Sequence, residues 1–205
     1  MGAEKSNSAT FFSITNGKIC RQIQSPSEDS VTRTNKNNKV VHEEFFDKLR
    51  GVITDITTKE HDEYGKFWLV EMKDDEGAFI LQMKYSSGYS GAFLKTLPNV
   101  DLSKEVLLIP KMTVEGDKKK TTLFINQNGH ALKYYFNKEN PNGIPELKQL
   151  KVKGKITWDD SDIMEFLENM VNTTIIPKLK GSTGTSAAKP QASATPVAVN
   201  GEMPF

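Results

Sequence analysis

Between residues 49 and 127 apolar side chains recur at every second position in short runs, each bounded by a polar turn. A period of two belongs to strands buried on one face, and β-branched residues such as Val52, Ile53, Thr54, Ile56, Thr57 and Thr58 suit them. The first run, 49–58, sets Leu49, Gly51 and Ile53 against Arg50, Val52 and Thr54. His61 to Gly65 is a polar turn into a second run, 66–72. Asp74, Asp75, Glu76 and Gly77 turn the chain into a third, 78–85, with Phe79, Leu81, Met83 and Tyr85 on one face. Short turns between such runs predict a meander.

The stretch 86–101 breaks the alternation. Ser90, Ala92, Phe93, Leu94 and Leu97 fit a short helix stopped by Pro98 and Asn99. Beyond it, 105–114 reads as a fourth strand, 116–120 as a charged turn and 121–127 as a fifth strand. Asn128 and Gly129 then form a hairpin turn into 131–136. Three strands, a helix and two strands is the order of an OB-fold, a five-stranded Greek-key barrel. The rival is a flat antiparallel sheet or SH3-like barrel, which the helix between strands three and four disfavours. The expected fold is therefore mainly β, an OB barrel with added flanks.

Those flanks predict three regions: 1–44, 45–180 and 181–205. In the first, 10–15 and 18–24 flank Asn16 and Gly17, the preferred pair for a type I′ hairpin. In 25–39 only Val31 is apolar, which predicts a loop or mobile arm. After the barrel, Asp159, Asp160 and Asp162 favour a helix start. Ile163, Phe166, Leu167, Met170 and Val171 then recur at three-and-four spacing. This amphipathic helix is expected to bury its apolar stripe and to end before Pro177. From 181 to 201 the composition is that of a linker, leading to Glu202, Met203, Pro204 and Phe205.

Several functional classes have little support. His42, His61 and His130 are scattered and Cys20 is alone, so neither a thiolate zinc cluster nor an internal disulfide is expected. There is no Gly-x-Ser-x-Gly elbow and no phosphate-cradling Gly-x-x-x-x-Gly-Lys loop. The reading is of a protein that is not an enzyme and needs no cofactor or metal. No membrane span or signal peptide is expected, which predicts a cytoplasmic location.

The 27 Lys and Arg against 26 Asp and Glu give a net charge of +1, too little to hold a polyanion by charge alone. The distribution is uneven: 104–155 holds 11 basic and 5 acidic residues, and 157–205 holds 3 and 6. Single-strand recognition needs cations along a backbone path and flat rings on which bases stack. Both are interleaved in Arg50, Lys66, Trp68, Lys84, Tyr85 and Tyr89, and again in Lys111, Lys118, Lys119, Lys120, Phe124, Lys133, Tyr134 and Tyr135. Gly88 and Gly91, on either side of Tyr89, would admit a close backbone approach. Competing roles exist for each: core packing for Trp68, Phe79 and Phe124, a solvated tip for the lysine run, and edge protection for Arg50. An adaptor module that binds proteins through its faces and tail is the rival function.

The region from Phe45 to Phe136, with Tyr134, Tyr135, Phe136, Asn137, Lys138, Glu139, Asn140, Pro141, Asn142, Gly143, Ile144, Pro145 and Glu146 after it, resembles bacteriophage-type single-stranded DNA-binding proteins. The tail tip is similar to that of bacterial single-stranded DNA-binding proteins, although it carries one acid, Glu202, where that family has several. The resemblance implies a protein that coats single-stranded DNA in replication, recombination or repair, in the host cytoplasm if phage-encoded. It also implies that Glu202, Met203, Pro204 and Phe205 recruit replication or recombination proteins, with Phe205 entering an apolar pocket.

Overall fold

The computed structural model describes residues 9–35, 37–152 and 155–182. The expected first hairpin is present: β1 (Thr10–Thr15) pairs with β2 (Lys18–Ile23), and Asn16 and Gly17 have φ of 49° and 78°. Positive φ at both positions is what a type I′ turn demands. Gly17 is also needed for space, because a Cβ there would fall 2.9 Å from the Met112 nitrogen.

The segment 25–39, expected as a mobile arm, instead contains β3 (Val31–Thr34), paired with β4 (Val40–Phe46). Polar contacts do what apolar burial does elsewhere. Arg33 grips Glu43 with Nε and Nη2 at 2.8 and 2.7 Å, and Thr32 Oγ1 lies 2.8 Å from His42 Nδ1. In the turn, Asn35 Oδ1 accepts from the backbone N–H groups of Asn37 and Lys39.

The predicted meander follows as β5 (Leu49–His61), β6 (Gly65–Lys73) and β7 (Ala78–Lys84). Then come α1 (Gly88–Thr96), a 3-10 turn (Leu97–Asn99), β8 (Val106–Glu115) and β9 (Lys118–Gln127). Lys118, Lys119 and Lys120, expected in the turn, are the first residues of β9; the reversal is left to Gly116, with φ of 61°, and Asp117. The strand expected at 131–136 shrinks to β10 (His130–Ala131). Beyond it the backbone turns to α1, where the Tyr135 N–H donates to the Lys95 carbonyl at 2.8 Å.

A ribbon that the sequence reading missed, β11 (Lys148–Val152) with β12 (Lys155–Asp159), precedes α2 (Ser161–Met170). Pro177 does not end this helical stretch. A π turn (Val171–Ile175) leads into α3 (Ile176–Ser182), so the ladder is already widened where proline lacks its N–H.

The strands form a ten-stranded sheet, ordered β10-β9-β8-β5-β6-β7-β1-β2-β4-β3, with β11 and β12 apart from it. The order β8-β5-β6-β7 is a Greek key. The expected closed five-stranded barrel does not form. The second edge of β7 is taken by β1, which runs parallel with Thr10 beside Phe79 and Phe12 beside Leu81, while β10 meets β9 only at Asn126 and Gln127. With its edge filled by β1, β7 cannot also pair with β9.

One face of the sheet meets α1 and α2. There Ile53, Ile56, Trp68, Val70, Met72, Leu81, Phe93, Leu108, Leu123, Ile125 and Leu167 are buried. An irregularity between Ile53 and Asp55 keeps Ile53 and Ile56 on the same side, although they are an odd number of positions apart. Of the predicted apolar stripe Ile163, Leu167 and Val171 are buried and Phe166 and Met170 partly buried, and Met164, outside that spacing, is buried beside them. No helix among the described residues is long and apolar enough to cross a membrane.

Candidate nucleic-acid interface

Residues opposite one another in antiparallel strands share a face. On β8 and β9 the inward set includes Val106, Leu108, Pro110, Leu123 and Ile125, so the outward set is fixed by register. It runs Ile109 beside Phe124, Lys111 beside Thr122, Thr113 beside Lys120 and Glu115 beside Lys118. Arg50 of β5 joins it opposite Leu107. The phenol of Tyr134 reaches the same face, its oxygen 3.0 Å from Thr122 Oγ1. Phe124 is 42% exposed and Tyr134 39%, so both rings are open to solvent. Arg50 is held loosely by Glu105 at 3.7 Å, with both side chains largely in water. Two exposed rings thus lie among Arg50, Lys111, Lys118 and Lys120 on one surface.

The outward side of β5, β6 and β7 carries a second row, Lys59 beside Phe67 beside Lys84. Of these only Lys84 was singled out from the sequence. Lys59 and Phe67 were missed, although the burial of Trp68, Val70 and Met72 at alternate positions is the signal that turns Phe67 outward. Further along this face Asp55 opposes Glu71, whose carboxyl is raised above its ordinary value by burial and by the Asp55 charge. An acidic pair there repels phosphate, so the two basic clusters are separated by a negative centre.

Lys66, Trp68 and Tyr85 lie on the opposite, inward side, beneath α2. Trp68 is 1% exposed and stacks on Tyr85, with ring centres 5.5 Å apart and planes 8° from parallel. Lys66 Nζ sits 4.4 Å from the Tyr85 ring centre and donates to both oxygens of Glu168 at 2.6 and 2.7 Å. The Tyr85 hydroxyl donates to Glu168 Oε2 at 2.6 Å and Thr58 Oγ1 to Oε1 at 3.3 Å. Burial opposes the charge on Glu168, but the bonds from Lys66 and Tyr85 outweigh it and hold the carboxyl below its usual value. Burial and the bond to Glu168 raise the Tyr85 phenol. The α2 carboxylate therefore occupies the cation and phenol that the sequence reading offered to a phosphate and a base.

Tyr89 is buried too, its oxygen accepting the Gly17 N–H at 2.9 Å. Gly88 serves an internal approach: a Cβ there would lie 2.3 Å from Thr121 Oγ1 and 2.5 Å from the Thr121 carbonyl oxygen. Gly91 has open space around its missing Cβ. Lys119, opposite Val114, alternates away from Lys118 and Lys120. Lys133 and Tyr135 lie on the segment that crosses the end of α1. There the Lys133 carbonyl accepts from Asn99, and Tyr135 packs edge-on against Phe136 at 4.9 Å. Glu202, Met203, Pro204 and Phe205 lie outside the described residues.

Among the described residues no group of three or more His, Cys, Asp or Glu is placed to hold a metal ion. Cys20 is buried, and desolvation together with the Glu43 charge pushes its thiol up to about 11, far from a reactive thiolate. What the outward face of β8 and β9 offers is non-covalent: cations at strand spacing around two accessible rings. No protein family, curated protein or solved structure matches this chain.

Proposed function

We propose that this protein binds single-stranded DNA without sequence preference and coats it during replication or recombination, as a binding protein and not as an enzyme. The observation that carries the reading is the outward face of β8 and β9, where Phe124 and Tyr134 lie among Arg50, Lys111, Lys118 and Lys120. Bases stack on such rings whatever their sequence, at about 1–3 kcal/mol per base, while the cations follow the phosphates. The Greek-key order with a helix between β7 and β8 supports an OB-like reading of the sheet in an opened form. Trp68 and Tyr89 have no part in this reading, because neither presents a ring to solvent.

The test is fluorescence anisotropy of a labelled oligo-dT of about 30 nucleotides beside the matching duplex, at about 50 and 200 mM salt. Single-strand binding that weakens with salt and far exceeds duplex binding is expected. No binding of either form below about 10 µM at the lower salt would refute the proposal, since even non-specific binders register there.

A further inference from the structure

Among the described residues the ribbon of β11 and β12 joins no other strand, and a lone two-stranded ribbon gains little stability from itself in water. Its register places Gln149 beside Trp158 and Lys151 beside Ile156 on one face. Trp158 is 61% exposed and Ile156 63%. No ring contact to Trp158 and no ion pair to Lys151 occurs among the described residues. The base of the ribbon, in contrast, is tied down. Ser86 Oγ donates to the Asp160 carboxylate at 2.7 Å, and Lys148 pairs with Asp162. Ser86 lies just past Lys84, so the ribbon rises from the end of the row formed by Lys59, Phe67 and Lys84.

We propose that this ribbon is a second contact for single-stranded DNA, with Trp158 stacking on a base and Lys151 meeting a phosphate. The inference rests on the reading under Proposed function and adds a site to it. Charge selects the occupant: with Lys148 paired to Asp162, residues 148–159 still hold three further lysines against one acid, Asp159, so a second copy of the ribbon would set a basic surface against a basic surface, whereas a phosphate chain complements it. The exposed indole selects a single strand, because a duplex hides the faces of its bases.

The experiment uses the full chain and the labelled oligo-dT, comparing wild type with Trp158→Ala, Trp158→Phe, Lys151→Ala and Phe124→Ala. Trp158→Ala is expected to weaken binding by about 5- to 150-fold, the loss of one stacked base, and Trp158→Phe to keep most of it. Lys151→Ala is expected to lower the salt slope by about 0.7. Circular dichroism melts should match wild type, since both side chains stand in water. In wild type, DNA should also quench the long-wavelength emission of exposed Trp158, while Trp68 stays shielded. If Phe124→Ala weakens binding and Trp158→Ala and Lys151→Ala do not, the ribbon site is overturned and the β8–β9 face stands. If wild type fails to bind, both readings fall. A dimer abolished by Trp158→Ala with DNA binding unchanged would assign the ribbon to self-association and also overturn the inference.

Discussion

Removing Lys111 and Lys120 together tests the proposed face at the level of charge. Both stand exposed on the outward side of β8 and β9, opposite Thr122 and Thr113, with no carboxylate within ion-pair distance among the described residues. With Arg50 and Lys118 they make the set of cations that one strand of phosphates would meet. If each neutralises one phosphate, these four contribute about −2.8 to the slope of log affinity against log salt, a loss of roughly 50-fold from 50 to 200 mM salt. For Lys111→Ala with Lys120→Ala that contribution should fall to about −1.4 and its share of the loss to roughly 7-fold. Neither side chain packs in the core, so melting should be unchanged. Anisotropy titrations of oligo-dT across a salt series measure the slope directly. An unchanged slope in a folded double variant would refute the assignment of phosphate contacts to this face, whatever happened to the affinity at a single salt concentration.

Lys66→Ala should leave that slope unaltered, because its ammonium is already engaged by Glu168. Glu168→Ala should destabilise the fold by about 1–2 kcal/mol in denaturant titrations, a value discounted because Lys66 is a third exposed. Since the folded carboxyl is held below its usual value, this contribution is present above the ordinary glutamate range near about 4.3 and disappears as pH falls through the lowered value. A stability difference between wild type and Glu168→Ala that persisted unchanged in strong acid would contradict this. Leu167 is fully buried, so Leu167→Ala should cost about 2–5 kcal/mol and lower Tm by roughly 4–20 °C; a shift below about 1 °C would mean that α2 is not packed as described. Cys20 should react with a thiol reagent at pH 8 only as fast as the chain opens, its thiol being raised by burial, and rapid stoichiometric labelling of the folded protein would be inconsistent with that.

The strands held by apolar alternation were legible in the sequence, as were the Asn-Gly hairpin turns at Asn16–Gly17 and Asn128–Gly129, and the short helix before Pro98. The strands held by polar pairs were not. β3 presents Val31, Thr32, Arg33 and Thr34, and its stability comes from polar partners ten residues on, in β4, which a pattern of apolar alternation does not register. Closure of the barrel was illegible for a different reason. Whether β7 pairs with β1 or with β9 is a competition between distant segments for one row of backbone groups, and local pattern does not rank the competitors. Helix continuation past Pro177 likewise depends on the π turn before it, which has no signature in residue type alone.

The candidate site shows how much hangs on strand parity. Lys66 and Trp68 share a face, as any reading of alternate positions requires, but Val70 and Met72 share it too and draw it inward. A shift of one position moves every side chain of a strand to the other side. Strand parity then turns outward Phe67 and Phe124, which hydrophobicity alone would assign to the core, while Trp68, the most attractive stacking ring by type, is spent on packing. The same geometry resolves the puzzle of the net charge. Glu168 neutralises Lys66, Asp162 neutralises Lys148 and Glu43 neutralises Arg33 within the fold, so acids and bases cancel where they pair. Among the described residues Lys111, Lys118 and Lys120 are not cancelled in this way, and a sum of +1 over the chain coexists with a basic face. A face with so few free cations implies a modest salt slope, so affinity must lean on stacking. Substitutions at Phe124 and Tyr134 should therefore cost more than substitution of any single lysine.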